Sequence, residues 1–149
     1  MALVTAVMAM LMMLAIGAAI VVNTITETTI AANHRDAVQA LYAAEAGIEL
    51  AISQLRATAD WSAAAGDPRG TIFVQGPLAA LVQSGAVDQR LNVAASVYPD
   101  PHGDQDVLIV RSSASATGIR RSIEVTIRRA PATGGATARK IEMLSWRER

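Results

Sequence analysis

With 149 residues, the chain is long enough for one domain with an extension, and its two tryptophans, two tyrosines and one phenylalanine leave that domain few large side chains for a core. The absence of cysteine excludes a disulfide framework and thiol chemistry. The formal net charge is zero, but residues 1–106 hold ten acidic and four basic residues while residues 107–149 hold three acidic and nine basic ones, so copies stacked head to tail would place unlike charges together.

The first predicted element is a long apolar helix at the N-terminus. No charged residue precedes Glu27, and a helix over Met1–Val22 would span about 33 Å, enough for the core of a bilayer. A secretory signal normally combines a basic start with an apolar stretch of about 7–15 residues. Here no Lys or Arg precedes the apolar stretch, which is also longer. The segment is therefore predicted to be a membrane anchor or an apolar helix that packs against others of its kind.

The second predicted element continues the same helix as an amphipathic segment from Asp36. Apolar residues recur there at spacings of three and four, which is the pattern of one buried helix face. They are Val38, Leu41, Tyr42, Ala44, Ile48, Ala51, Ile52 and Leu55. The helix is predicted to end between Leu55 and Gly66, and to be weakest over Asn23–Thr29, where β-branched residues are frequent.

The remainder of the chain contains short apolar stretches between turn signals, as in a small antiparallel sheet. The clearest is a hairpin with arms near Val107–Ala116 and Ile119–Arg129, joined by a turn at Thr117–Gly118. The apolar side chains of a closing edge strand, Trp146 among them, are expected to seal the core. The other predicted elements are strands at Thr71–Gln75 and near Leu91–Val97, with one or two helical turns within residues 77–85.

These elements predict an α+β fold, in which one long N-terminal helix, apolar and then amphipathic, packs on an antiparallel sheet of about four strands. The expected organisation is a membrane or filament-core half of the helix at residues 1–26, an amphipathic half at 27–60 and a sheet-containing head at 61–149. No internal repeat is present, so a repeat architecture is excluded.

Residues with catalytic or metal-binding chemistry are few. Asp100, Asp104 and Asp106 offer oxygen atoms that calcium accepts, but their spacing is not that of an EF-hand, so they are weak candidates and a solvated turn is expected. With two histidines, no cysteine and no glycine-rich phosphate loop, neither an enzyme nor a bound cofactor is expected.

Four arginines on the second arm of the hairpin are candidates for contact with an anionic partner. They are Arg120, Arg121, Arg128 and Arg129. They lack the interleaved aromatic residues on which nucleic-acid bases stack, so nucleic acid is not the expected partner. Ordinary clustering of surface charge is the alternative explanation for these arginines and for the charge asymmetry of the chain.

The order of these parts resembles the architecture of type IV pilins. The stretch "ALVTAVMAMLMMLAIGAA" is similar to the start of PilX-type minor pilins, and "DAVQALYAAEAGIELAISQL" to the helical segment that follows it. The run Ala43–Gly47 is the most recognisable piece, and Leu144–Glu148 resembles the endings of PilX-like pilus assembly proteins. The resemblance covers residues 1–56 well, the hairpin loosely and residues 60–105 hardly at all.

The resemblance implies that Met1 is the processed and methylated residue left after a prepilin peptidase removes a basic leader, the alternative being an ordinary initiator. Most major pilins have Glu five residues after the cleavage point, whereas this chain has Thr5. A hydroxyl bonds back to its own helix but does not neutralise the N-terminal amine of a neighbour. The presence of Thr5 in place of this glutamate therefore favours a minor, tip or priming subunit over the main repeating one.

The resemblance therefore implies a structural subunit of a type IV pilus or a similar filament, held in the bacterial inner membrane as a single-pass precursor and then moved to an extracellular filament or a periplasmic pseudopilus. Its partners would be other pilin subunits, the prepilin peptidase and the assembly machinery. The alternatives are a single-span membrane protein with a small extracytoplasmic domain, and a DNA-binding or adhesive tip pilin. Besides Met1, the residues expected to carry assembly are Leu3, Thr5, Val7, Leu11, Leu14, Gly17 and Val21.

Overall fold

The computed structural model describes residues 1–58, 60–62, 67–81, 88, 90–130 and 140–149. It confirms an α+β fold with one long helix and an antiparallel sheet, and the chain divides into two compact units, Met1–Arg35 and Asp36–Arg149. The elements are helix α1 (Ala2–Ala57), strand β1 (Thr71–Pro77), the one-turn helix α2 (Leu78–Leu81) and strands β2 (Asn92–Pro99), β3 (Val107–Ala116), β4 (Ile119–Arg129) and β5 (Ile141–Glu148).

Helix α1 is continuous, so the segment Asn23–Thr29 is helical despite its low intrinsic propensity. The helix ends at Ala57, within the predicted interval. Beyond that end, the indole Nε1 of Trp61 donates a hydrogen bond of 3.2 Å to the carbonyl of Leu55, which satisfies one of the acceptors that a helix leaves open in its last turn.

In the described part of the chain the sheet has five strands, one more than expected, and their order across the sheet is their order along the chain. Every strand pairs antiparallel with its sequence neighbour, which makes the sheet a simple meander. The hairpin of β3 and β4 has the predicted arms and closes between Ala116 and Ile119. Thr117 and Gly118 in its turn both have positive φ, 46° and 91°, which explains the glycine at the second position.

The core lies between the sheet and the part of α1 that belongs to the second unit. The predicted stripe on the helix was wrong at Tyr42, which is 64% exposed. Successive residues on a helix point about 100° apart, and the buried face turns out to be centred on small residues that let the helix lie close to the strands. The buried helix residues are Ala40, Ala43, Ala44, Gly47, Ile48, Ala51, Ile52 and Leu55.

Gly47 lies where the helix packs tightly against the sheet. A Cβ atom at this position would collide with the hydroxyl of Ser112 on β3 and would lie 2.5 Å from Cγ1 of Val93 on β2. Ser112 itself is fully buried, and its Oγ has no hydrogen-bond partner among the described residues. The glycine in the Ala-Ala-Glu-Ala-Gly run therefore has a packing role, because a side chain at this position would displace Ser112 or Val93.

Strand β5 forms an edge of the sheet, as predicted, and its Ile141 packs against the core, but its other large apolar side chains do not seal the core. Trp146 remains 49% exposed, and Met143 and Leu144 are exposed to a similar degree. Trp146 lies opposite Val125, one strand beyond the buried residues of β4, so the helix does not cover it. The aromatic residue that is buried is Trp61, which follows the helix.

Candidate assembly surface

The first unit, Met1–Arg35, consists of one helical segment whose residues are all exposed. Its large apolar side chains are exposed to solvent among the described residues, and Leu14 is 70% exposed. Among the described residues, α1 is the one helix that is long and apolar enough to cross a membrane, judged by length and composition. The predicted assembly residues Leu3, Thr5, Val7, Leu11, Leu14, Gly17 and Val21 all lie in this segment.

The polar side chains between Thr5 and Thr29 form hydrogen bonds within their own helix. The hydroxyl of Thr5 donates a hydrogen bond of 2.9 Å to the carbonyl of Ala2, and the Asn23 amide donates one of 3.0 Å to the Glu27 carboxylate. Because these groups already have partners, moving them out of water leaves fewer unsatisfied polar atoms. Four further hydroxyls donate to backbone carbonyls three or four residues earlier, at 2.8–2.9 Å: those of Thr24, Thr26, Thr28 and Thr29.

Gly17 interrupts the row of large side chains on this surface. Apart from its own helix backbone and its chain neighbours, no described atom lies within 4 Å of the position that its Cβ would take, so no packing contact among the described residues requires glycine there. Glycine in a helix interior costs about 1 kcal/mol relative to alanine. Small residues let the backbones of apolar helices approach closely, and Ala18 and Ala19 follow Gly17 directly. The open glycine is therefore suited to contact with another helix.

Residues 1–49 match the family model described as PilX N-terminal. This is the part of the chain in which the resemblance to PilX-type pilins is strongest, and the match confirms that resemblance. No curated protein and no solved structure matches the chain. The matched segment, the apolar helix and the α+β fold support a type IV pilin-like protein with a PilX-type N-terminal segment.

The four arginines singled out on β4 are not gathered into one site. Arg120 and Arg128 share the face of the sheet that points away from the helix, whereas Arg121 lies on the opposite face and forms an ion pair of 3.4 Å with Glu148. The guanidinium of Arg129 lies 5.2 Å from the ring centroid of Trp61. Strand alternation explains the separation, because neighbouring residues of a strand point to opposite faces.

A charged network on the outer face of the sheet was not predicted from the sequence. The Glu124 carboxylate accepts a hydrogen bond of 2.7 Å from Arg111 on the neighbouring strand and one of 3.1 Å from Arg149. The Arg111 guanidinium also lies 4.9 Å from the ring centroid of Tyr98. The sequence indicates this network only through the pairing of Arg111 with Glu124. That pairing becomes visible once the two arms of the hairpin are aligned residue by residue.

Glu124 should make the stability of the head dependent on pH. The hydrogen bond from Arg111 lowers the pKa of the Glu124 carboxyl, and the positive charge of Arg149 lowers it further. Partial burial raises the same pKa but does not outweigh these two effects. Because this pKa is lower in the folded state, ionised Glu124 stabilises the head at pH values above the ordinary carboxyl pKa of about 4.3. The stabilisation is lost as the pH falls through the lowered pKa of the folded state.

We expect Glu124→Gln to reduce the free energy of unfolding at pH 7 by about 1–2 kcal/mol, because it weakens charge-assisted hydrogen bonds that are partly shielded from water. The difference from the parent should shrink as the pH falls below about 4. Urea unfolding at several pH values measures both effects. The matched control is Glu142→Gln, whose carboxylate is more exposed and makes only a 3.6 Å ion pair with Lys140. An equal loss of unfolding free energy in both variants would contradict a specific stabilising role for the hydrogen bonds of Glu124.

The aspartates between β2 and β3 use their carboxylates within their own turn. Asp104 accepts a hydrogen bond of 2.9 Å from the amide of Asp106, and Asp100 accepts one of 3.4 Å from the amide of Asp104. Across the described part of the chain, no group of three or more histidine, aspartate or glutamate side chains is arranged to hold a metal ion. The turn is thus built from local side-chain to backbone bonds.

Proposed function

We propose that this protein is a structural subunit of a type IV pilus or a related filament, as a minor, tip or priming subunit and not the main repeating one. The observation that carries the proposal is the PilX-type segment at residues 1–49. In the single chain, the first 35 residues of this segment are all exposed. An apolar helix without partners needs either lipid or other helices around it. Thr5, whose hydroxyl bonds to Ala2, supports the minor role because it offers no charge to a neighbouring amine.

The proposed path begins with a single-pass precursor in the inner membrane and ends in an extracellular filament or a periplasmic pseudopilus. Prepilin peptidase and the assembly machinery act on the chain along this path, with Met1 as the proposed processed and methylated residue. The partners of the apolar segment are the corresponding helices of other pilin subunits. The role requires no catalytic group and no cofactor, since assembly exchanges lipid contacts for helix contacts.

Mass spectrometry of the N-terminus of this chain, in filaments sheared from the cell surface, tests the proposal. We expect a methylated N-terminal residue in a small fraction of the filament protein. The same modified terminus in the dominant band would make the chain the main subunit and overturn the minor role. If the chain were absent from the sheared fraction and unprocessed in the membrane, the pilin function would be replaced by that of a single-span anchored protein.

A further inference from the structure

The outer face of the sheet, which points away from the helix, carries an excess of positive charge. Strands β1, β2 and β3 contain no carboxylate. The carboxylates at outer positions of the described strands are Glu124 on β4 and Glu142 on β5, because Glu148 lies on the opposite face. Both outer carboxylates already have basic partners, which are Arg111 and Arg149 for Glu124 and Lys140 for Glu142.

Three exposed arginines at outer positions form no ion pair with any described residue: Arg120, Arg128 and Arg147. Arg120 and Arg128 lie eight positions apart on β4, which separates them by about 27 Å along the strand. Arg147 lies on β5 opposite Glu124, midway between them. Arg128 lies opposite Glu142, but both of these carboxylates are paired with other cations. The three residues form an arginine stripe, with one unpaired positive charge about every 14 Å.

Short hydroxyl side chains occupy the outer positions between these arginines. Ser122 and Thr126 are the outer residues of β4 on either side of its carboxylate. Ser115 on β3 lies opposite Arg120, and Ser145 on β5 lies opposite Thr126. A hydroxyl group both donates and accepts hydrogen bonds. The stripe therefore combines guanidinium groups with hydroxyl groups, and the outer positions of β4 hold no apolar side chain.

This face lacks the features that favour a nucleic acid or a protein as the partner. Tyr98 is the aromatic residue at the outer positions of the described strands, and the Arg111 guanidinium lies 4.9 Å from its ring centroid. Gly70 also lies against the ring, since a Cβ there would be 2.5 Å from Cε1 of Tyr98. A nucleic-acid base would have to displace these groups in order to stack. A protein interface is usually anchored by large apolar or aromatic side chains at its centre, which the stripe does not offer.

We propose that the arginine stripe binds an acidic polysaccharide, a polymer of uronic acids. The planar guanidinium group matches a carboxylate through two parallel hydrogen bonds, and the serine and threonine hydroxyls suit the hydroxyl groups of the sugars. A linear sugar chain that follows β4 meets the three arginines one after another. The contact goes beyond the proposed filament role and does not depend on it, because it uses the head alone.

Biolayer interferometry tests the proposal, with immobilised alginate, a polymer of uronic acids, and the full-length chain in neutral detergent micelles. We expect binding that weakens about tenfold when the salt rises from about 0.05 M to about 0.2 M, as expected when about three contacts release counterions. The variant with Arg120→Gln, Arg128→Gln and Arg147→Gln should bind at least about tenfold more weakly than the parent. Urea unfolding of this variant should match the parent, because the three side chains are exposed and make no ion pair with a described residue.

The matched control loses the same net charge outside the sheet. It combines Arg35→Gln, Arg56→Gln and Arg90→Gln, three exposed arginines that lie on none of the five strands. This variant should bind alginate within about twofold of the parent, since a specific contact responds to the position of a charge and a general attraction responds to net charge.

Several results would overturn the proposal. Equal losses in the two triple variants, or binding to neutral dextran as well as to alginate, would show that the stripe is not the site. Tighter binding to double-stranded DNA or to polyglutamate, at the same concentration of negative charge, would assign the stripe to a nucleic acid or to an acidic protein. No binding to any of these polymers would show that the arginines are ordinary surface charge.

Discussion

Gly47→Ala is expected to destabilise the head, although alanine is the better helix former by about 1 kcal/mol. The new Cβ would collide with the Ser112 hydroxyl and lie 2.5 Å from Cγ1 of Val93, so these two buried side chains, or the helix and strands that carry them, must shift. Overpacking of this kind costs about 1–3 kcal/mol, and Gly47→Leu should cost more. Thermal or urea unfolding of the full-length chain, followed by the fluorescence of the buried Trp61, measures the loss.

Two variants separate packing from helix propensity. Gly17→Ala makes the same chemical change in the first unit, where no described atom outside its own helix backbone and chain neighbours lies within 4 Å of the new Cβ, and should leave unfolding of the head unchanged. Ser112→Ala removes a buried hydroxyl without a described partner and should therefore be neutral or stabilising. Combined with Gly47→Ala, the Ser112→Ala substitution should restore part of the stability that Gly47→Ala removes. A Gly47→Ala protein as stable as its parent would show that helix and sheet are not in such close contact.

Leu14→Arg should abolish stable membrane insertion and, with it, incorporation into filaments. Leu14 lies in the middle of the uncharged segment before Glu27, and an arginine at the centre of a membrane helix costs about 3 kcal/mol. Resistance of the chain to carbonate extraction from membranes measures insertion, and its amount in the sheared fraction measures assembly. Leu14→Met is the control that keeps the apolar character and should behave as the parent.

Gly17→Leu distinguishes a filament subunit from a simple anchor. Both require membrane insertion, but only the filament subunit requires contact with another helix. The leucine keeps the segment apolar and should leave membrane insertion intact, while it prevents close approach of a second helix at this point. We expect incorporation into filaments to fall at least about tenfold, the effect of losing about 1.4 kcal/mol of helix association. Unchanged incorporation would show that this part of the surface does not contact another subunit.

Strong periodic patterns made the helix and the hairpin predictable from the sequence. Ile123, Val125 and Ile127 alternate with polar residues and are all buried, as a strand covered on one face requires. The apolar start of α1 was equally clear, because no charge occurs before Glu27. These features depend on local order along the chain, which a single sequence contains.

Features that depend on the relative position of elements were not predictable in the same way. The spacing of three and four between apolar residues predicts Tyr42 on the buried face, but close packing at Gly47 selects the neighbouring small residues. Trp146 was expected to be buried by its size, yet β5 lies beyond the cover of the helix. The network around Glu124 required the register of three strands and the position of the last residue, neither of which local patterns contain.

The order of the sheet has a consequence for how the head folds. Every strand pairs with the strand next to it in the chain, so each pairing closes only a short loop and costs little chain entropy. The contacts that bridge long stretches of sequence are those of the helix, such as Gly47 with Val93 and Ser112. Pairing within the meander therefore costs less loop-closure entropy than docking of the helix, and we expect the helix contacts to form after the strands have paired.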